Sequence, residues 1–184
     1  MKYEKLTNDG RLWSVKYDGD RINAFELAFS QWTDVRWLKE FFSKNINDLS
    51  SYFHITDIDE AIFDTINDAE QLECLMLDIN PTVNLDEIFR PLENYRTSDV
   101  LLGKEKAKGL YTTKHSSWLR LYAIRLQSKR YIITGGAIKL TATMKEREHT
   151  LAELIKMNKV RENLISLGIV DYEGFMENEN ERQR

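Results

Sequence analysis

Two apolar, strand-like runs that close into a hairpin and lead to a capped helical repeat constrain this chain more than any other feature. Residues 118–126 read Trp-Leu-Arg-Leu-Tyr-Ala-Ile-Arg-Leu, and residues 130–135 read Arg-Tyr-Ile-Ile-Thr-Gly. Both are rich in aromatic and β-branched residues, and Gln127-Ser128 joins them over hairpin length, although Gln-Ser is a weak turn dipeptide. Further on, Thr150-Leu-Ala-Glu153 matches a capping box, in which a threonine hydroxyl accepts from the third helical amide while the glutamate reaches back. The helix is expected to run to about Leu167 with Gly168 at its C-terminal cap. Its apolar stripe is Leu154, Met157, Val160, Leu164 and Leu167, with Lys156 and Lys159 on the solvated side.

The rest of the chain follows from similar patterns. Residues 11–17 alternate as a half-buried strand does, Asp18-Gly19-Asp20 supplies a turn, and residues 21–29 read as a second strand. Residues 33–42 change to helical spacing through Val35, Leu38, Phe41 and Phe42. Residues 45–99 hold 13 Asp/Glu against Arg90 and Arg96 alone, and are expected to form an insertion of one or two helices with acidic outer faces. Asn80-Pro81 and Arg90-Pro91 mark breaks in it. Residues 104–109 read as an exposed basic loop, residues 144–149 as a charged connector, and residues 176–184 as a polar, disordered tail. A single α+β domain over residues 1–175 accounts for these elements, with a twisted, mostly antiparallel sheet packed by helices and a helical insertion at 45–99.

Charge is divided unevenly. Residues 103–168 carry 14 Lys/Arg against 5 Asp/Glu, whereas residues 1–102 carry 10 against 20, so a net charge of -4 conceals an acidic half and a basic half. Such asymmetry points to a polyanion-facing surface on the basic part. Cys74 is the one cysteine, which excludes an internal disulfide and argues against a zinc cluster. A reducing, cytoplasmic setting is expected, without a membrane segment or an apolar signal core. Glycine-rich phosphate loops, nucleophile elbows and paired-histidine metal motifs are missing from the sequence. His54, His115 and His149 are scattered, so neither a metal nor a cofactor is expected.

What remains is a set of cations and aromatics around the hairpin. On a regular strand Trp118, Arg120 and Tyr122 share one face. Guanidinium and ammonium groups hold phosphates while rings stack on bases, which is what single-stranded nucleic acid requires. The same charges stabilise a phosphorane-like transition state. Each residue also has a plainer reading. Trp118 and Tyr122 fit a sheet core, and Arg125, on the opposite face, could cover the sheet edge or pair with an acidic residue of the insertion. Gly135-Gly136 marks a bulge or a close backbone approach. Lys139 is expected to be exposed at a strand end. His149 either flanks a helix cap or titrates as a general acid or base. Arg161 lies beside the apolar stripe and either snorkels along the core or reaches towards the hairpin.

The segments Leu119-Arg-Leu-Tyr-Ala-Ile-Arg125, Arg130-Tyr-Ile-Ile-Thr-Gly-Gly-Ala-Ile-Lys-Leu-Thr141 and residues 150–161 resemble the carboxy-terminal half of RelE/HigB-like toxins of bacterial type II toxin–antitoxin systems. That family shows a Leu-Arg-x-x-Tyr-x-Ile strand, a second strand leading into Phe-x-Lys-Lys-Thr, and a Thr-Pro helix cap. Arg120 or Arg125 falls where the strand arginine lies, Lys139 matches the first lysine and Thr141 the hydroxyl residue. Ala137-Ile138 stands in place of the aromatic, Leu140 in place of the second lysine, and Leu151 in place of the cap proline. The resemblance implies a RelE-like fold and metal-free cleavage of ribosome-bound messenger RNA by 2′-hydroxyl attack on the adjacent phosphate. Arg120, Arg125 and Lys139 would then stabilise phosphate charge, His149 or Tyr122 would assist proton transfer, and Lys129, Arg130, Lys145, Arg147 and Arg161 would contact RNA. A helix-turn-helix antitoxin is the implied protein partner. The eroded lysine pair favours a second expectation, a non-catalytic module of the same fold that binds RNA, a ribosome or a protein. The acidic insertion either docks on or beside the basic face as a counter-charge or is solvated on the far side.

Overall fold

A computed structural model describes residues 1–78, 82–93, 102–109, 114–127 and 129–182. The elements in chain order are β1 (Lys2–Lys5), β2 (Leu12–Lys16), α1 (Ala24–Trp32), α2 (Val35–Lys44), α3 (Ile46–Phe53), α4 (Ile58–Leu77), α5 (Leu85–Ile88), β3 (Arg90–Pro91), β4 (Lys104–Lys108), β5 (Leu119–Gln127), β6 (Arg130–Ile138), a 3-10 turn (Met144–Glu146), α6 (Glu148–Ser166) and α7 (Tyr172–Arg182). The strands form one open sheet in the order β1-β2-β6-β5-β4-β3. Its pairings are antiparallel except β2 with β6, which run parallel. The chain is therefore an α+β fold with a mixed, mostly antiparallel sheet.

Helices cover both faces of the sheet, which explains why β5 and β6 are buried almost throughout. On the first face Leu119, Leu121, Ala123, Tyr131 and Ile133 pack with residues of α1 to α5. On the second face Tyr122, Ile124, Leu126 and Ile132 pack with Met157, Val160 and Leu164 of α6 and Phe175 of α7. The acidic segment is thus a structural layer, since Leu49, Ala61, Ile62, Leu72, Met76 and Leu85 belong to the first core. Its carboxylates meet the basic half on that same side. Asp48 pairs with Arg147, Asp86 with Arg125, Glu60 with Lys114 and Asp64 with His115.

Several expectations are corrected. Residues 21–29 do not form a strand. Asn23 Oδ1 accepts from Glu26 N at 3.0 Å and Glu26 Oε2 accepts from Asn23 N at 3.4 Å, a capping box that starts α1. Ala24, Phe25, Ala28, Phe29 and Trp32 then recur at helical spacing on its buried side. Residues 104–108 are a strand rather than a loop, paired along their length with β5. The threonine cap also falls elsewhere. The box belongs to Thr143 and Glu146 at the 3-10 turn, while α6 already begins at Glu148. Thr150 is buried, its hydroxyl donating to Met144 O at 2.7 Å and Arg147 O at 3.0 Å. Leu167 and Gly168 end α6 where expected, Gly168 with a φ of +71°. Residues 176–182 of the polar tail continue α7, which seats Phe175 against Tyr3 and Trp13 with ring centroids 5.3 and 5.0 Å apart. The expected Asn80-Pro81 break and Ser128 of the hairpin turn lie outside the described residues. Among the described residues no helix is long and apolar enough to cross a membrane.

Candidate functional site

Strand β4 reads Lys-Glu-Lys-Ala-Lys, and a pleated strand sends alternate residues to opposite faces. Glu105 and Ala107 are buried on the first face, so Lys104, Lys106 and Lys108 stand together on the second. The register with β5 places Lys106 opposite Tyr122 and Lys108 opposite Arg120. One strand further, Tyr122 pairs with Gly135 and Arg120 with Ala137, so small side chains flank the larger ones. Lys139 follows β6, Lys145 comes from the 3-10 turn, and Leu154 and Asn158 of α6 form the facing wall. Together they line an open cleft of about 850 Å³. Six cations face it, and Glu93 is the one carboxylate residue among its described lining.

Neutral acceptors hold several of these cations in place. Lys104 Nζ donates to Asn158 Oδ1 at 3.1 Å, and Lys106 Nζ to Leu92 O at 2.9 Å. Arg120 Nη1 donates to Ser117 O and Leu119 O, both at 2.7 Å. Lys139 Nζ donates to Thr141 O at 2.7 Å and Ala142 O at 2.6 Å. For Arg120 and Lys139 these carbonyls orient the cationic group without cancelling its charge. Burial, with Lys108 and Arg120 alongside, holds the Lys106 ammonium below its usual range. The guanidinium of Arg120, aided by burial, does the same to Lys108. Lys139 is lowered by burial first and then by Arg120 and Lys106. Mutual repulsion of this kind is relieved by an anion placed between the charges. In the same cleft the Tyr122 hydroxyl is buried without a hydrogen-bond partner, and burial raises its phenol well above the usual range.

Of the expected site residues, Arg120, Tyr122, Lys139 and Lys145 meet here. The others lie elsewhere. Arg125 is buried on the first face, its Nη2 3.5 Å from Asp86 Oδ2, and Asp86 also accepts from Tyr131 Oη at 2.6 Å and from Lys129 N at 2.9 Å. Trp118 packs in the first core and donates its indole N–H to Thr65 Oγ1 at 2.9 Å, so it does not share a face with Arg120 and Tyr122. His149 Nε2 lies 2.9 Å from Ile138 O, and its ring stands edge-on to Phe41. Arg130 covers the Tyr172 ring at 4.2 Å, Arg147 grips both oxygens of Asp48, and Arg161 Nε donates to Leu102 O at 3.1 Å. Lys104, Lys106 and Lys108 were missed, although their alternation in sequence was the signal. It describes a strand with one charged face as readily as a solvated loop.

The fold and the cleft define a class: an α+β protein whose open mixed sheet presents a cleft lined by cations on one face. No protein-family model, no curated protein and no solved structure matches the chain.

Proposed function

We propose that this protein binds single-stranded RNA by its phosphate backbone in the β4–β5 cleft, as a RelE-like RNA-binding protein. The observation that carries the reading is the ladder Lys104, Lys106, Lys108 beside Arg120 and Lys139, facing one cleft. Alternate residues of a strand recur about every 6.6 Å, the order of the phosphate spacing in an extended nucleotide chain. A ladder of ammonium groups at that interval can follow a backbone, whereas a single phosphate is too small to reach from one end of it to the other. Resemblance to RelE/HigB-like toxins through Arg120, Lys139 and Thr141 supports RNA rather than another polyanion, and ribosome-bound messenger RNA as its source.

The test is binding of a labelled 20-nucleotide single strand over a range of potassium chloride concentrations. Affinity is expected to fall with a log–log slope of about −0.7 per phosphate contacted. Binding that is absent, or indifferent to salt, would refute the reading.

A second reading, metal-independent cleavage, is favoured by one observation, the unpartnered Tyr122 hydroxyl amid these cations. Arg120 and Lys139 would stabilise the phosphorane charge as the 2′-oxygen bonds to the adjacent phosphorus and the P–O5′ bond breaks, with Tyr122 taking the 2′ proton as its own passes to the departing 5′ oxygen. A helix-turn-helix antitoxin would be the partner of such a toxin. Cleavage predicts 2′,3′-cyclic phosphate ends and growth arrest on expression. RNA that is bound but stays intact, also on ribosomes, would leave the binding reading alone standing.

A further inference from the structure

A second cavity lies where β6 continues beyond its parallel neighbour. Pairing of β2 with β6 ends at Ser14–Ile133, and among the described residues no strand pairs with that edge further on. In an antiparallel ladder alternate residues point their N–H and C=O groups to opposite sides. Lys139 N donates to Trp118 O, so the residues in phase with Lys139, among them Ala137 and Gly135, bond to β5. The out-of-phase residues Thr134, Gly136 and Ile138 face the open edge. Two side chains fit this assignment: Tyr17 Oη donates to Thr134 O at 2.7 Å, and His149 Nε2 meets Ile138 O at 2.9 Å. Between those caps stands Gly136, offering one donor and one acceptor.

Its surroundings have the character of a ligand site. The pocket holds about 260 Å³ and is walled by Trp32, Trp37 and Phe41. Trp37 and Phe41 stack at 5.4 Å, and both are only partly buried. A side chain at Gly136 would meet Trp32 at 2.7 Å, so its bareness keeps the edge open. Glu153 reaches the same pocket from α6. It is 7% exposed; Oε1 accepts from Lys156, while Oε2 is buried without a partner.

We propose that this pocket binds an amino-bearing nucleobase, its donor–acceptor edge paired with the Gly136 backbone, its ring against Trp37 and Phe41, and a further N–H donated to Glu153. Polar groups few in number and fixed in direction, set in aromatic walls, are what recognise a planar heterocycle. The volume suits one or two fused rings rather than an oligomer. The site is separate from the cationic cleft and does not rest on it.

Calorimetric titration of the whole protein with adenosine, guanosine, cytidine and uridine tests the proposal. Saturable binding of at least one amino-bearing nucleoside is expected, at least tenfold tighter than uridine. Glu153→Gln and Trp37→Leu should each weaken it tenfold or more, whereas Lys106→Ala in the cleft should leave it unchanged. Trp37 is only partly buried on α2, so if Glu153→Gln fails to unfold cooperatively, Trp37→Leu alone decides. No saturable binding by any of the four, or affinity unaltered in a folded Trp37→Leu variant, overturns the proposal. Neither outcome bears on RNA binding in the cleft, whose test is the salt dependence and its loss in Lys106→Ala.

Discussion

Tyr122 is a tyrosine where packing alone would favour phenylalanine. Its ring is buried in the second core and its hydroxyl is left without a partner at the floor of the cleft. An unsatisfied buried hydroxyl costs about 1–3 kcal/mol. Tyr122→Phe is therefore expected to raise stability by about 1 kcal/mol in urea unfolding while weakening RNA binding or cleavage; a loss of stability would show that the hydroxyl is satisfied. Glu105 stands on the other face of β4, where burial is the main cause that raises its carboxyl to about 7, with Asp86 adding to it and Arg125 and Lys106 opposing. Between the ordinary value of 4.5 and about 7 the unfolded chain is ionised at this group while the folded chain keeps its proton. The contribution to stability is complete below 4.5 and is lost as pH rises through 7, on the order of 3 kcal/mol in all. Denaturant unfolding from pH 4 to pH 8 should show that loss in the wild type relative to Glu105→Gln, which lacks the titration. Parallel pH profiles would dismiss the shift.

At the scale of the element, β4 decides how the basic half is used. The same five residues, Lys104–Lys108, give three free-standing charges in a loop but a one-sided ladder once paired with β5. Lys106→Ala and Lys108→Ala are each expected to reduce the salt slope of RNA binding by about 0.7, with little change in stability for Lys108, which is exposed. Arg147→Ala provides the contrast. That guanidinium is engaged with Asp48 outside the cleft, so the slope should hold. Slopes that shift equally in all three variants would mean diffuse attraction rather than a cleft. Element type was legible where a single period dominated, as in β5, β6, α2 and the body of α6. It was misread for α1, where Ile22, Ala24, Phe25 and Leu27 satisfy a strand template as well as a helical one. The Asn23–Glu26 box decides between them. The cap of α6 was displaced for a related reason, since Thr-x-x-Glu occurs at both Thr143 and Thr150 and local sequence does not rank the two.

For the molecule as a whole, helices on both faces of one sheet make the acidic segment and the C-terminal helix parts of the core. Phe175 is fully buried between Tyr3 and Trp13, so Phe175→Ala is expected to cost about 3–5 kcal/mol, measurable by chemical denaturation; an unchanged midpoint would return residues 172–182 to the role of a solvated tail. Carboxylates of the acidic layer meet Arg125, Arg147 and Lys114 around the first core. The cleft on the second face is left with Glu93 among its described lining. Which cations meet the acidic layer and which line the cleft is thus settled by the side of the sheet on which they emerge. The sequence alone determined the α+β class, the central hairpin, the long helix ending at Gly168 and the division into acidic and basic halves, because these follow from periodicity and composition within short windows. Only the tertiary structure decided that Arg120 and Lys139 join the lysines of β4 while Arg125 and His149 do not. Strand order and register bring together residues far apart in the chain, and no local pattern encodes which neighbour a strand will take.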